Sequence, residues 1–463
     1  MRKTLAFALT LIVATAMVAV TLLSCADRDE GRVVVRLGIW PEDTLPHEIA
    51  MHREFVRIFN ERFPDVVIRP SSYRYAVDTF VPMAEAGLIP TIFETWFTEP
   101  GKLIPGGFVR DITDELDALG WTEKMNESVK NLLSRDGRIY GVPRDAYALG
   151  LMLNMELFRD AGLVDEDGLP LYPRTWAELA STARIIRERT GRAGLVLLAM
   201  DNAGGWHFTN IAWGFGAEFM AERNGRWIAQ IDTPEVLAAM QFVRDLRWEY
   251  DVLTASPTTE TWASGFQAIG TGLAAMYIAA QDAVNQPTMV NGLPVGDLAL
   301  VPMPAGPRGQ YSLMGGTPYM FARNATSDEV TYALRYLEIM GRAPVVTDDS
   351  IAGLMADARM RRDSGVPVIP TFPAWTCPDF LVAQQQAIDA YINVDMRLFN
   401  DYFEMISQGT NLRSEEPQLT QDLYSELTNV LQAVLTNRNA NIPALLGTAQ
   451  ANFQRMLDAQ VNN

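Results

Sequence analysis

Tryptophans that stand beside carboxylates are the residues of this chain best suited to contact a ligand. Four tryptophans fall at predicted strand ends or in loops: Trp40, Trp96, Trp206 and Trp375. Glu42 lies two residues after Trp40, and Glu94 lies two residues before Trp96. A flat aromatic face can stack on the C–H face of a sugar ring, while a carboxylate accepts hydrogen bonds from its hydroxyls. The pattern favours carbohydrate binding, and packing in a core is the alternative for each single tryptophan.

The sequence does not indicate metal chemistry or a catalytic nucleophile. His47 and His52 are five residues apart, whereas a zinc-binding helix needs its histidines four apart to bring both to one face. The acidic segment 165–168 lacks the alternating ligands of a calcium loop. None of the three histidines stands in a pattern that would activate Cys377 as a nucleophile. The Gly-x-Ser-x-Gly motif of serine hydrolases does not occur either. We therefore predict no metal, no cofactor and no catalytic residue.

One class of enzyme stays open as an alternative. A glycosidase needs only two positioned carboxylates, and the chain has 56 acidic residues. A hydrolase, however, would explain only the presence of these acids and not the placement of the aromatic residues. We therefore expect a binding protein and keep the exported carbohydrate-active enzyme as the weaker hypothesis.

Alternating strands and helices must position these side chains. The apolar run 33–39 predicts a buried strand, residues 51–59 carry apolar side chains at helical spacing, and 66–68 predicts a second strand. The same order repeats in the helix 76–87 and the strand 91–93, whose end leads into the second tryptophan–glutamate pair. Such repetition is typical of an α/β fold with a parallel sheet. Since 463 residues exceed what one core usually serves, we expect two lobes.

Later segments carry local signals of their own. Residues 326–329 fit the capping box of a helix start, and Asn224-Gly225 predicts the tip of a hairpin. The segment 295–304 reads as a strand that returns to a sheet. Residues 419–458 show the apolar stripe of amphipathic helices that pack on a lobe.

The charge of the chain argues against a nucleic-acid partner. With 38 basic and 56 acidic residues, the formal net charge is −18. Such a surface repels phosphate backbones and lacks the basic patch that nucleic-acid binding requires. We predict a small-molecule ligand instead.

The first residues resemble a bacterial lipoprotein leader. Two basic residues at 2–3 precede a mostly apolar run, 5–23, which ends just before Cys25. We predict a signal peptide over 1–24, lipidation of Cys25 and a polar tether over 25–32. An uncleaved membrane helix is the alternative. Both readings hold the protein outside the cytoplasm, in the periplasm or on the outer face of the cytoplasmic membrane.

The most specific pattern in the chain is the segment 136–163. It reads Asp-Gly-Arg-Ile-Tyr-Gly-Val-Pro from Asp136, Asn-Met-Glu-Leu-Phe from Asn154, and Ala-Gly-Leu from Ala161. This sequence pattern resembles the signature of the family 1 extracellular solute-binding proteins of ABC sugar importers, relatives of maltose-binding protein. The resemblance implies an α/β, two-lobed periplasmic-binding-protein-like fold of type II. Each lobe would be a mainly parallel sheet flanked by helices, with the ligand cleft between the lobes.

The resemblance also implies lobe boundaries and contact residues. Residues 33–146 and 295–345 would form the first lobe, and 147–294 and 346–463 the second. At the cleft it implies Trp40, Glu42, Glu94, Trp96, Asp145, Tyr147, Trp206, Trp213, Asp282, Gly315 and Gly316, to which the aromatic pattern adds Trp375. Asp282 falls where the family commonly has a tryptophan.

The function that follows from the resemblance is capture of a mono- or oligosaccharide and its delivery to the permease subunits of an ABC importer. The lobes would close on the solute about a hinge, no reaction would be catalysed, and the protein would be a monomer. A non-sugar solute such as a polyamine, a peptide or a sugar phosphate is the alternative within binding proteins. Carboxylates near Trp40 and Trp96 count against an anionic ligand.

Overall fold

The structure, a computed structural model, describes residues 31–43, 46–409 and 411–462. The predicted signal peptide, Cys25 and most of the tether lie outside these residues. The strands in chain order are β1 (Val33–Leu37), β2 (Val66–Pro70), β3 (Ile92–Glu94), β4 (Ser134–Arg135), β5 (Arg138–Ile139), β6 (Gly141–Ala148), β7 (Gly150–Asn154), β8 (Ala193–Val196), β9 (Met220–Arg223), β10 (Arg226–Ala229), β11 (Ala274–Ala279), β12 (Leu298–Val301), β13 (Ser312–Phe321) and β14 (Leu412–Ser414).

Helices surround these strands. In chain order they are α1 (Pro46–Arg62), α2 (Val77–Glu85), α3 (Pro100–Leu103), α4 (Thr113–Leu119), α5 (Glu127–Leu132), α6 (Met155–Asp160), α7 (Trp176–Thr190), α8 (Asp201–Phe215), α9 (Pro234–Trp248), α10 (Trp262–Gly270), α11 (Ser327–Ile339), α12 (Asp348–Asp363), α13 (Pro378–Tyr391), α14 (Asn400–Gln408), α15 (Thr420–Thr436) and α16 (Ile442–Gln460). Short 3₁₀ turns join several of them, and one of these, Gln281–Ala283, follows β11.

The first lobe is built on a six-stranded sheet. Its strands lie in the order β14-β13-β3-β1-β2, and β6 pairs with β13. The pairs β1–β2 and β1–β3 are parallel, as the β-α-β pattern of the sequence predicts. Val35 and Leu37 of β1 are fully buried, and α1 and α11 pack together through Phe59 and Tyr336, whose ring centroids are 6.0 Å apart. β1 is apolar except for the partly exposed Arg36, whose guanidinium donates to the Ile89 carbonyl at 2.8 Å.

The second lobe is built on a four-stranded sheet in the order β12-β7-β11-β8. β7 runs antiparallel to both of its neighbours, and only β11 and β8 are parallel. This sheet is therefore mixed, whereas a mainly parallel sheet was expected. The difference has a local cause: β7 follows β6 after Leu149 alone, so its direction is set by the crossing between lobes and not by a preceding helix.

The lobe boundaries also differ from the expected ones. Leu298–Val301 pairs along β7, so the segment 295–301 belongs to the second lobe, although it was predicted in the first. Residues 372–376, predicted in the second lobe, pack on the first: Asn126 N–H donates to the Ala374 carbonyl at 3.0 Å. Backbone pairing decides both assignments, and the apolar pattern of a segment does not reveal its pairing partner.

Hydrogen bonds join the chain segments that cross between the lobes. The Leu149 N–H donates to the Leu313 carbonyl at 2.9 Å, and the Ser312 hydroxyl donates to the Leu149 carbonyl. The Leu313 N–H in turn donates to Oδ1 of Asn210 on α8 at 3.0 Å. The two crossing segments are thus hydrogen-bonded to each other and to helix α8.

Several local predictions are confirmed. Thr326 and Glu329 form a capping box at the start of α11. Asn224 and Gly225, both with positive φ, form the tip between β9 and β10. The segment 419–458 forms the two helices α15 and α16.

Helix α8 approaches α15 very closely, and glycine makes this possible. A Cβ at Gly205 would lie 2.3 Å from the carbonyl oxygen of Tyr424. Glycine inside a helix costs about 1 kcal/mol relative to alanine, and the close packing explains why it is present here. The adjacent Trp206 therefore lies at the edge of the second lobe, next to the chain segments that cross between the lobes.

Candidate functional site

The carboxyl ends of β1 and β3 bring two predicted pairs to one edge of the first sheet. Since the two strands are parallel neighbours, the segments that follow them meet at the same edge, where ligands bind in open α/β sheets. Trp96 is 44% exposed there and packs edge-to-face on Tyr75 at 5.5 Å between centroids. Trp40 is half-buried against His52 at 5.3 Å. Trp96 therefore offers the more open aromatic surface.

Glu42 is paired with a neighbouring arginine. Its Oε1 lies 3.1 Å from Nε of Arg74, and the same guanidinium donates to the Trp40 carbonyl at 3.0 Å. Both charged side chains are at least half exposed. This ion pair stabilises the loop after β1. Glu42, which was predicted to contact the ligand, therefore has a structural role.

Arg144 links two of the predicted carboxylates. One of its terminal nitrogens lies 3.0 Å from Oε2 of Glu94, and its Nε lies 2.7 Å from Oδ2 of Asp145. Asp145 also accepts the Thr317 N–H at 3.1 Å through Oδ1. The sequence prediction missed Arg144, although its place directly before Asp145 was the available signal. Glu94 and Asp145 thus share the one positive charge of a residue of the protein itself.

Gly315 and Gly316 are buried in β13 and make room for other side chains. A Cβ at Gly315 would lie 2.4 Å from the hydroxyl oxygen of Tyr147. A Cβ at Gly316 would lie 2.5 Å from the carbonyl oxygen of Asp145 and 2.6 Å from the ring of Phe97. In this structure Gly315 makes room for the ring of Tyr147, and Gly316 makes room for the ring of Phe97 and the backbone of Asp145.

A recess of about 60 Å³ opens beside Tyr147 and combines aromatic rings with one carboxylate. It is lined by Tyr147, Leu149, Trp206, Trp262, Phe266, Ile278, Ala279, Ala280, Asp282 and Ala283. The rings of Tyr147 and Trp206 stand perpendicular, with centroids 6.4 Å apart. The structure thus brings together Tyr147, Trp206 and Asp282, three residues that the sequence resemblance implied. The recess is small beside a whole ligand cleft of roughly 300–1,000 Å³, so it is one part of a larger site.

Trp262 and Phe266 are the members of the recess that the sequence prediction missed as contacts. Both lie on α10, which starts with a capping box formed by Thr261 and Ser264. Trp262 is 44% exposed and packs edge-to-face on Phe266 at 4.7 Å. Their helical spacing is typical of ordinary core packing, so no sequence pattern marked them as ligand contacts.

The side chain of Asp282 is exposed to solvent, although protein atoms pack around its carboxylate. It lies in the 3₁₀ turn after β11, next to the buried Gln281, whose side chain donates to the Ala146 carbonyl at 3.1 Å. Desolvation, followed by the nearby charge of Asp145, raises the pKa of Asp282 to about 7. A recessed carboxylate of this kind marks a candidate functional position.

A second carboxylate with a raised pKa, Glu415, lies near Tyr147. Desolvation raises the pKa of Glu415 to about 8, although it accepts a hydrogen bond from the Tyr424 hydroxyl at 2.9 Å. Glu99, which is buried and bonded to Tyr75, adds its negative charge. The sequence prediction missed Glu415, because the segment that carries it reaches the cleft only through tertiary packing.

Two predicted tryptophans belong to the core. Trp213 is fully buried, its Nε1 donates to Glu416 at 3.2 Å, and the guanidinium of Arg413 lies 4.4 Å from its ring centroid. Trp375 is 5% exposed and packs edge-to-face on Trp121 at 5.8 Å. Both side chains are buried and pack as core residues, without an exposed ring face.

A larger cavity, of about 390 Å³, lies elsewhere on the second lobe. Its lining includes Leu171, Tyr172, Arg174 and Asp401, and none of the predicted site residues. Arg174 stacks on Tyr172 and pairs with Asp401 at 3.2 Å, so these two charged groups are matched within the protein. Size alone therefore does not identify the functional site, and the aromatic recess remains the better candidate.

Within the described ranges there is no cluster of three or more metal-ligating side chains. No helix in the described part of the chain has the length and apolar character needed to cross a membrane.

Comparison with known proteins defines the family. Residues 48–343 match the family model described as bacterial extracellular solute-binding protein. The arabinooligosaccharide-binding protein of Halalkalibacterium halodurans is 24% identical over 230 residues, which are 48% of this chain and 48% of that protein. The lactose-binding protein of Rhizobium radiobacter is 27% identical over 113 residues, 22% of this chain and 25% of that protein. The chain thus spans about half or less of the length of these curated relatives.

Solved structures show the same fold over nearly the whole chain. The GacH receptor of Streptomyces glaucescens, studied unliganded and with acarbose, aligns with a TM-score of 0.69 at 17% identity over 92% of this chain and 99% of that one. Maltose-bound MalE3 of T. maritima aligns with a TM-score of 0.66 at 19% identity over 92% and 99%. The expected two-lobed fold is confirmed. The chain belongs to the bacterial extracellular solute-binding protein family.

Proposed function

We propose that this protein captures a carbohydrate between its two lobes and delivers it to an ABC importer. The observation that carries the proposal is the recess that the rings of Tyr147, Trp206 and Trp262 line together with Asp282. Aromatic faces supply stacking for a sugar ring, and the carboxylate supplies directional hydrogen-bond acceptors. The matched relatives include an arabinooligosaccharide-binding protein and a lactose-binding protein, which supports the same class of solute.

Closure of the lobes on the solute is part of the proposal. The residues of the recess come from both sides of the crossing: Tyr147 from β6, Trp206 from α8 and Asp282 from the turn after β11. The lobes also touch directly, since the Gln421 side chain donates to the Thr98 hydroxyl at 3.3 Å. Hinged closure is the usual motion of periplasmic binding proteins. It would complete the site by bringing the first-lobe edge with Trp96 over a solute held in the recess.

The protein is proposed to bind and release its solute unchanged. Glu94 and Asp145 are engaged by Arg144, and Glu415 is engaged by Tyr424. A carboxylate paired with an arginine, as Glu94 and Asp145 are, is poorly placed to act as a general acid, which needs a raised pKa. An exported carbohydrate-active enzyme is the alternative, and turnover of a glycoside by the purified protein would establish it.

The proposed location is the outer side of the cytoplasmic membrane, with Cys25 carrying a lipid. The observations in support are the leader-like residues 1–24 and the extracellular character of the family. A labelled fatty acid should enter the protein and be lost with Cys25→Ser. An unlipidated protein with its leader uncleaved in the native host would overturn this part of the proposal.

The binding function is tested by titrating the purified protein with a panel of solutes while following indole fluorescence. The panel contains neutral mono- and oligosaccharides, sugar phosphates, polyamines and short peptides. We expect saturable binding of a saccharide with a change in emission, because Trp206 and Trp262 line the recess. Binding of a peptide or a polyamine with no response to any saccharide would contradict the proposed solute class.

A further inference from the structure

The recess beside Tyr147 holds a carboxylate that no basic side chain neutralises. Among the described residues, no side chain donates a hydrogen bond to Asp282 or forms an ion pair with it. Arg144, whose positive charge acts on Asp282, is engaged by both Glu94 and Asp145. Asp282 is nevertheless surrounded closely enough for desolvation to dominate its titration. Because the side chain of Asp282 is also exposed to solvent, a ligand that enters the recess can reach it and supply the opposite charge.

Aromatic rings complete the surroundings of this carboxylate. Tyr147, Trp206, Trp262 and Phe266 line the same recess. The negative faces of aromatic rings attract cations, and the attraction grows when the site is shielded from water. Four rings and an unpaired carboxylate therefore favour a ligand group with a positive charge over a neutral hydroxyl group.

The charges that face Asp282 from neighbouring elements do not change this preference. The groups are Arg144, Asp145 and Tyr147 on β6 and Tyr402 on α14, and Glu415 acts on the same Tyr147. Asp145 opposes ionisation of Asp282 and Arg144 favours it weakly. Tyr147 and Tyr402 are uncharged phenols, because burial raises their pKa well above the usual range. The field in the recess is thus negative when Asp282 is ionised.

We propose that this recess binds a protonated amine, so that the captured solute is an amino sugar. This inference rests on the proposed function, since it specifies the kind of carbohydrate that the cleft takes. The sugar ring stacks on the aromatic side chains while its ammonium group enters the recess and pairs with Asp282. A neutral saccharide satisfies the hydrogen-bonding capacity of the carboxylate but leaves its charge uncompensated.

The titration of Asp282 gives the inference a pH signature. The pKa of Asp282 is about 7 in the free protein, where desolvation opposes its charge. A bound ammonium favours the ionised form and lowers that pKa, so the complex holds fewer protons than the free protein. By linkage, the affinity for an amine falls as the pH drops below 7, while the amine itself stays charged. A neutral sugar lacks this dependence.

The test compares matched pairs of saccharides by titration calorimetry on the purified protein. The probes are glucosamine with glucose, galactosamine with galactose, mannosamine with mannose, and the glucosamine dimer and trimer of chitosan with cellobiose and cellotriose. Putrescine serves as an amine without a sugar ring. Asp282→Asn removes the charge at constant size, and Asp160→Asn, on the exposed end of α6, is the matched control.

We expect the amine member of at least one pair to bind more than tenfold tighter than its neutral partner at pH 7. This preference should be lost in Asp282→Asn and kept in Asp160→Asn, and it should fall more than tenfold between pH 7 and pH 5. Neutral members that bind as tightly as their amine partners would overturn the inference and leave the proposed function intact. Binding of putrescine without any saccharide would overturn the proposed function, and absence of all binding would overturn both.

Discussion

The carboxylates of the cleft fall into two regions that differ in how their charge is balanced. At the edge of the first sheet, Glu94 and Asp145 share the guanidinium of Arg144 at 3.0 and 2.7 Å. In the recess, Asp282 has aromatic neighbours and no basic partner among the described residues. The difference separates structure from function: a carboxylate matched within the protein stabilises the fold, and an unmatched one is available to a ligand.

The first way to test this difference is to remove a ring from the recess. Trp206→Ala should weaken solute binding by about 2 kcal/mol or more, hence more than tenfold, because a stacking surface is lost. The free energy of unfolding should change less, since Trp206 is only partly buried. Titration calorimetry and chemical denaturation measure the two effects, and Trp227→Ala, in the β9–β10 hairpin, is the control. Normal binding by Trp206→Ala would mean that the recess is not the site.

The second test removes the cation from the paired region. Arg144→Met should lower the free energy of unfolding by about 1–3 kcal/mol, because it leaves Glu94 and Asp145 without their partner. The value lies below that of a fully buried pair because all three side chains are partly exposed. Arg184→Met, which breaks an exposed pair with Glu188 on α7, should change stability by far less. Equal effects in urea denaturation would contradict the structural role of Arg144.

The third test uses the raised pKa of Asp282. A carboxyl whose pKa rises on folding destabilises the folded state once it ionises, so its contribution to stability is lost as the pH rises from about 4 towards 7. Asp282→Asn should therefore stabilise the ligand-free protein at pH 8, by up to about 1 kcal/mol once solvent screening is allowed for, and have little effect at pH 4. Thermal unfolding at the two pH values measures this. A variant that is less stable than the parent at pH 8 would show that Asp282 has a partner in the fold.

The smallest effect is expected at the rim. Glu42 and Arg74 are both at least half exposed, so Glu42→Gln should change the free energy of unfolding by under about 0.5 kcal/mol. Solute affinity should change less than twofold, because Glu42 is matched by Arg74. Loss of binding in Glu42→Gln would break the rule that matched carboxylates are structural.

Local parts of the fold were predictable from the sequence, and its long-range pairings were not. The β1-α1-β2 unit, the capping box at Thr326 and the hairpin tip at Asn224 depend on neighbouring residues, and the predictions hold. The direction of β7 depends on the crossing from the first lobe, which no periodicity reports. The misplacement of residues 295–301 has the same origin, because their partner strand lies more than a hundred residues earlier.

Two tryptophans of one helix show why the site was only partly predictable. Trp206 and Trp213 are seven residues apart on α8 and therefore lie on nearly the same face. Trp206 lines the recess at the end of the helix that meets the cleft, whereas Trp213 is covered by Glu416 and Arg413. The covering segment is about two hundred residues away in sequence, so residue type and spacing could not distinguish the two.

The most direct test of carbohydrate capture in the recess is a crystal structure of the protein with its tightest-binding saccharide. We predict a sugar ring stacked on Trp206, within contact of Trp262, and a polar substituent within hydrogen-bonding distance of Asp282. The lobes should enclose the sugar, with Trp96 facing it from the first lobe. A saccharide bound in the 390 Å³ cavity beside Tyr172, or at any position that leaves the aromatic recess empty, would contradict the account.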